Sequence, residues 1–109
     1  MYIIFDDQVT TELRAHYTLL ELETFDSKHG PRTAYCVIDT QRLSTEDLFY
    51  LDKYSEVHAA LISNYKEGHF EFCHQALEVL RGKWGGQIDS FYEVLNSRVS
   101  VAPKQDSVF

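Results

Sequence analysis

The run Asn64-Tyr-Lys-Glu-Gly68-His-Phe70-Glu-Phe-Cys73-His-Gln-Ala-Leu77 constrains this chain more than any other stretch. A pattern of apolar residues at three- and four-residue steps enters it, a glycine interrupts, and a second pattern of the same period leaves. Two helices folded back on each other satisfy that arrangement. The entering stripe is Leu48, Leu51, Tyr54, His58, Leu61 and Tyr65, opened by Ser44-Thr-Glu-Asp47 as an N-cap with acids in the first turn. The leaving stripe is Phe70, Cys73, Leu77 and Leu80. Gly82 and then Gly85-Gly86 break the chain before a third stripe, Ile88, Phe91, Tyr92, Leu95 and Val99. Three amphipathic helices in succession must face one another. The expected core of this half is Tyr54, His58, Leu61, Phe70, Cys73, Leu77, Leu80, Phe91 and Leu95.

Before Ser44 the period is different. Tyr2-Ile-Ile-Phe5 reads as a short strand ended by Asp6-Asp7, which suits a helix N-cap, and Val9, Leu13 and His16 or Tyr17 recur at helical spacing over 8–16. Tyr17–Phe25 alternates in β-forming residues, 26–31 is rich in turn formers, and Arg32–Asp39 resumes as a strand, so a hairpin over 17–39 is expected. Strict alternation places Leu20 and Leu22 on one face of its first strand, with Glu21 and Glu23 on the other. The returning strand carries Ala34, Cys36 and Ile38 on one face and Tyr35 and Val37 on the other. Apolar side chains on both faces predict a sheet covered twice, by helices on both sides or by a second subunit, which motivates an expectation of homo-oligomerisation.

The fold expected is therefore α+β: a small N-terminal three-stranded sheet with a short helix, then a three-helix C-terminal half. A chain of 109 residues fits one domain, placed at 1–99, with the polar, proline-containing stretch 100–109 expected as a mobile tail. With 44% hydrophobic and 25% charged residues, the composition is that of a globular protein and not a disordered one. Ten bases against seventeen acids give a net charge of -7, which repels phosphate backbones unless the bases gather on one face. Cys36 and Cys73 each sit in apolar runs and are expected as reduced, buried thiols of a cytoplasmic protein without a signal peptide. No segment has the roughly 18 apolar residues of a membrane span.

Four groups could carry chemistry. His69 and Cys73 are four apart on one helix, with His74 beside them and His58 upstream, but a zinc site needs three or four ligands and the spacing supplies two. Glu21 and Glu23, with Asp6 if the first strand lies alongside, could hold magnesium for a metal-dependent hydrolase, or could be edge carboxylates that keep a sheet soluble. Arg81-Gly-Lys83-Trp84-Gly-Gly86 is the local basic, aromatic, glycine-rich patch. Arg81 and Lys83 could meet an anion at the start of the third helix and Trp84 could stack a base or anchor a partner, with Arg98 nearby; the plainer alternative is an inter-helix turn whose tryptophan closes the core. No lysine-serine ending of a P-loop follows these glycines. Ser107-Val-Phe109 has the form of a segment captured by strand addition, a pattern too short to discriminate. Neither a catalytic set nor a cofactor is implied.

Two resemblances can be placed on these residues. Tyr65-Lys-Glu-Gly68-His-Phe70, followed by small Cys73 and then Leu77 and Leu80, resembles the turn of a tetratricopeptide unit over about residues 54–81, without a second copy at the ~34-residue period such proteins need. Phe72-Cys-His-Gln-Ala-Leu-Glu-Val-Leu-Arg-Gly-Lys-Trp-Gly-Gly-Gln-Ile-Asp-Ser-Phe-Tyr92 is similar to segments of small uncharacterised accessory proteins of marine T4-like cyanophages. That second resemblance implies a viral protein made in a host cytoplasm and transfers no activity. The expected function is that of a small acidic protein-binding protein, adaptor or regulatory. A nucleic-acid binder using Arg81, Lys83 and Trp84 and a hydrolase using strand carboxylates are the alternatives.

Overall fold

A computed structural model describes residues 2–101. Its architecture is α+β, a three-stranded antiparallel sheet followed by a layer of helices. Strand β1 (Ile3–Phe5) ends in a 3-10 turn at Asp6–Gln8, so Asp6-Asp7 do not cap the helix expected over 8–16; helix α1 (Thr11–His16) starts later, capped by the Thr10 hydroxyl, which accepts from Leu13 N–H at 3.0 Å. The hairpin β2 (Thr18–Ser27) and β3 (Gly30–Ile38) turns at Lys28-His29, and β1 pairs on the other side of β3, giving the order β1-β3-β2.

The pairing register assigns the faces. Leu20 lies opposite Cys36 and Thr18 opposite Ile38, on the face toward the helices; Ile4 opposite Tyr35 and Leu19 opposite Val37 belong to the other face. Ile4 and Val37 are buried, yet they lie outside the main core cluster. The Arg14 guanidinium sits 6.0 Å from the Tyr35 ring centre, so a side chain of α1 reaches this second face. Within the one chain Ile4 and Val37 are shielded, while Leu19 and Tyr35 on the same face stay partly exposed. Between the pairs Glu21–Tyr35 and Glu23–Ala34 there is one extra residue, Leu22. This bulge overturns the strict alternation expected along β2. Glu21 and Glu23 occupy register positions of opposite faces, and Leu22 remains buried.

Helices follow: α2 (Thr45–Phe49), α3 (Leu51–Glu67), α4 (Phe70–Leu80) and α5 (Asp89–Val101). Ser44 caps α2 as expected, its hydroxyl accepting from Asp47 N–H at 3.1 Å. The single stripe expected from Leu48 to Tyr65 is broken, however, at Tyr50 (φ -100°, ψ 17°), and Leu48 is consequently exposed. Helix α5 extends two residues past the expected boundary at Val99; positions 102–109, with the Ser107-Val108-Phe109 motif, lie outside the described residues.

At the α3–α4 turn, Gly68 takes φ +82° while its N–H bonds the Tyr65 carbonyl at 3.2 Å and the next N–H, of His69, bonds that of Asn64 at 2.9 Å. These paired bonds form a Schellman cap, which demands a left-handed residue at this position. The cap folds α4 back on α3 and brings the Cys73 thiol to 3.9 Å from the Leu61 carbonyl. Of the nine core residues expected in this half, seven are buried and Phe70 and Phe91 are half-buried against them. The pair packs as a helical hairpin; no second such unit follows among the described residues.

Leu77 is 1% exposed in the middle of α4, whereas Glu71 points to solvent. Leu77→Ala is expected to cost about 2–5 kcal/mol and Glu71→Ala under about 0.5 kcal/mol. Urea unfolding measures both, and equal midpoints would mean that the faces of α4 are assigned wrongly.

Candidate functional site

Trp84, expected either to stack a ligand or to close the core, is 1% exposed and does the second. Its indole N–H donates to the Tyr92 hydroxyl at 2.9 Å, Tyr92 Oη lies 2.9 Å from His58 Nδ1, and His58 Nε2 lies 2.6 Å from the backbone carbonyl of Glu21. The carbonyl can only accept, so Nε2 carries the proton; Nδ1 then accepts from the Tyr92 O–H, whose oxygen accepts from Trp84. Every member is satisfied with His58 neutral. Burial pushes the His58 pKa below its ordinary 6.5, although the Glu21 carbonyl and carboxylate oppose the shift. Burial likewise raises the Tyr92 phenol, with the Trp84 N–H opposing. The relay joins the glycine-rich turn, α5, α3 and β2. His58, Tyr92 and Trp84 are all buried, and Trp84 has no face free for a base.

The other two members of the basic patch separate from Trp84. Arg81 caps the end of α4 in solvent, while Lys83 Nζ lies 5.5 Å from the centre of the Tyr54 ring. The anion position expected at the start of α5 is taken by the chain itself: Asp89 Oδ1 accepts from Gly82 N–H at 2.9 Å. Gln87 fastens the same turn to the end of β3, accepting from Asp39 N–H at 3.0 Å and donating to the Asp39 carbonyl at 3.1 Å. The turn is thus fastened at Gly82 and Gln87, with Gly85 and Gly86 between them exposed.

The strand carboxylates do not converge. Glu21 pairs with Lys66 at 2.6 Å and Glu23 with Arg98 at 3.4 Å, cations of two different helices. Asp6 accepts from Thr33 N–H at 3.2 Å and Asp7 pairs with Arg32 at 2.8 Å, which fastens the end of β1 to β3. His69 and Cys73 do not share a face either. Cys73 is buried against Leu61, and His69 is an exposed N-cap whose ring contacts Asn64 Oδ1 at 3.1 Å. Among the described residues no group of three or more His, Cys, Asp or Glu is placed to hold a metal.

The surface feature left is aromatic. Phe49, at the α2–α3 corner, is 80% exposed, and its ring meets Tyr50 edge-on at 4.9 Å. Tyr50 is 6.0 Å from Tyr54, and Tyr54 is 6.4 Å from Trp84, so a ladder of rings runs from solvent into the relay. Tyr50, Tyr54, Lys83 and the exposed Val79 of α4 line a shallow depression beside Phe49, rimmed by Glu46, Lys53 and Glu78. An apolar centre with a mixed-charge rim is the composition of a protein contact surface. Sequence periodicity missed it because Phe49 and Tyr50 fall off the stripe. The signal available was the four-residue run Leu48-Phe-Tyr-Leu51, which no amphipathic helix can bury on all sides.

No protein-family model matches the chain, and neither the curated proteins nor the solved structures contain a significant match.

Two measurements test the relay. Tyr92→Phe leaves the Trp84 N–H and His58 Nδ1 without partners and is expected to cost about 1–3 kcal/mol in urea or thermal unfolding. A histidine whose pKa is lowered on folding binds its proton more readily in the unfolded chain, so its contribution is complete above about 6.5 and is lost as pH falls toward the lower folded value. Stability is thus expected to decline as pH falls below about 6.5, with a shallower decline in His58→Gln. Equal slopes would show that His58 does not supply the pH dependence.

Proposed function

We propose that this chain is a small acidic protein-binding protein, an adaptor or regulatory component, whose docking surface is the α2–α3 corner built on Phe49, Tyr50, Val79 and Lys83. The observation that carries this reading is Phe49: it is 80% exposed, yet its ring is held against Tyr50. A pre-ordered aromatic side chain forfeits little entropy when a partner covers it, and aromatic residues dominate the energetics of interfaces. The ladder behind it runs to the rigid core relay, which holds the corner in place.

Several features agree with action in the cytoplasm, the host's if the chain is viral. Cys36 and Cys73 are free and buried, and burial raises the Cys36 thiol to about 11, which leaves it protonated and unreactive. No helix among the described residues is long and apolar enough to cross a membrane. The net charge of -7 and the burial of Trp84 both weigh against nucleic acid as the partner.

Phe49→Ala tests the reading with little risk to the fold, since an exposed substitution of this kind shifts stability by within about 0.5 kcal/mol. In affinity capture from bacterial lysate, wild-type protein is expected to retain a partner that Phe49→Ala and Val79→Glu lose. Light scattering at micromolar concentration decides whether the partner is a second copy, in which case the same variants are monomeric. A partner retained equally by all three proteins removes the corner as the docking surface. Trp84 fluorescence is expected to be insensitive to single-stranded RNA or DNA at about 50 mM salt, where electrostatic binding is strong.

A further inference from the structure

A second concavity, of about 290 Å3, opens where β2, α3, α4 and α5 meet. Its floor is apolar and buried, formed by Leu22 of the bulge, Ile62 and Leu95. Phe70 and Phe91 wall it with half-buried rings. Over its mouth stands Arg98, on the last turns of α5. The guanidinium is held loosely: Nη1 lies 3.4 Å from both Glu23 Oε1 and Tyr65 Oη. Arginine has five N–H donors, and among the described residues Nε and Nη2 make no hydrogen bond. The bulge residue Leu22 lies in the floor of the concavity. An extra residue bends the strand, and here it also places Glu23 beside Arg98 rather than beside Glu21.

We propose that this groove binds a small amphipathic monocarboxylate, its aliphatic or aromatic body against Leu22, Ile62 and Leu95 and its carboxylate on Arg98. Apolar concavities with one or two convergent polar groups are the usual form of a small-molecule site, and a volume of this size suits a ligand of about ten heavy atoms. The head-group chemistry follows from the arginine. Its planar fork matches a carboxylate bidentately, and Nε with Nη2 is the edge left open by the contacts to Nη1. Glu23 is the internal competitor, since its carboxylate already neutralises the same group at long range. The site is separate from the Phe49 corner and does not depend on the protein-binding reading.

Octanoate below its micelle concentration is the probe, octanol its uncharged match, and the methyl NMR signals of Leu22, Ile62 and Leu95 the readout. Octanoate is expected to shift these methyls saturably. Arg98→Gln should weaken it about tenfold by removing a charge-assisted contact. Glu23→Gln should tighten it, because the competitor for the guanidinium is gone. Octanol should bind all three proteins alike. Both substitutions lie at exposed positions, and the amide spectrum of each variant reports directly that the fold is kept. Absence of a saturable shift at the three methyls overturns the proposal. So does an octanoate affinity that is the same in all three proteins, or one that Glu23→Gln weakens.

Discussion

The hydrogen-bonded relay from Trp84 through Tyr92 and His58 to the Glu21 carbonyl holds the two halves of this protein in one arrangement. Apolar packing alone would tolerate small slides between a helical layer and a sheet. A buried chain of polar groups does not, because a shift large enough to break one bond leaves a donor or acceptor orphaned in the core. Every link belongs to a different element: the turn after α4, then α5, α3 and β2. The relay lies beside the bulge, so the irregularity in β2 and the position of α3 are specified together.

The aromatic ladder converts that internal order into an ordered surface. Rings in successive contact pass from Trp84 to Tyr54, Tyr50 and Phe49, and only the outer end of the series is wet. The helix break at Tyr50 takes Leu48 out of the buried stripe, while Phe49 lies off that stripe. Had α2 and α3 been continuous, Leu48 would have stayed in the stripe with Leu51 and Tyr54. Lys83, over the Tyr54 ring, keeps a cation at the edge of the apolar centre in a chain that is otherwise strongly acidic.

Charge on the sheet is arranged by the same bulge. With strict alternation Glu21 and Glu23 would repel each other on one face and could share a cation. With Leu22 inserted, each finds its own base on a different helix. Such partly exposed pairs contribute little to stability, and their effect is positional. Lys66 and Arg98 both line the groove between sheet and helices, where the looser of the two pairs leaves guanidinium donors without a protein partner among the described residues.

Much of the architecture is written in local patterns. The change from period two to period three and four at Ser44, the hairpin over 17–39, the cap at Ser44 and the left-handed Gly68 all follow from neighbouring residues, and the structure contains each of them. The core of the helical half was legible for the same reason, since amphipathic stripes have only one face to bury. Tertiary structure decided what periodicity cannot encode. A bulge depends on cross-strand register, so the opposite placement of Glu21 and Glu23 is invisible along the chain. Trp84 in a basic glycine-rich turn reads equally as ligand platform or core plug, and it is Tyr92, eight residues on, that makes it the latter. Leu48 is exposed and Phe91 half-buried because of where the helices break and how they pack. Those are properties of packing between distant segments, and no local spacing of apolar residues carries them.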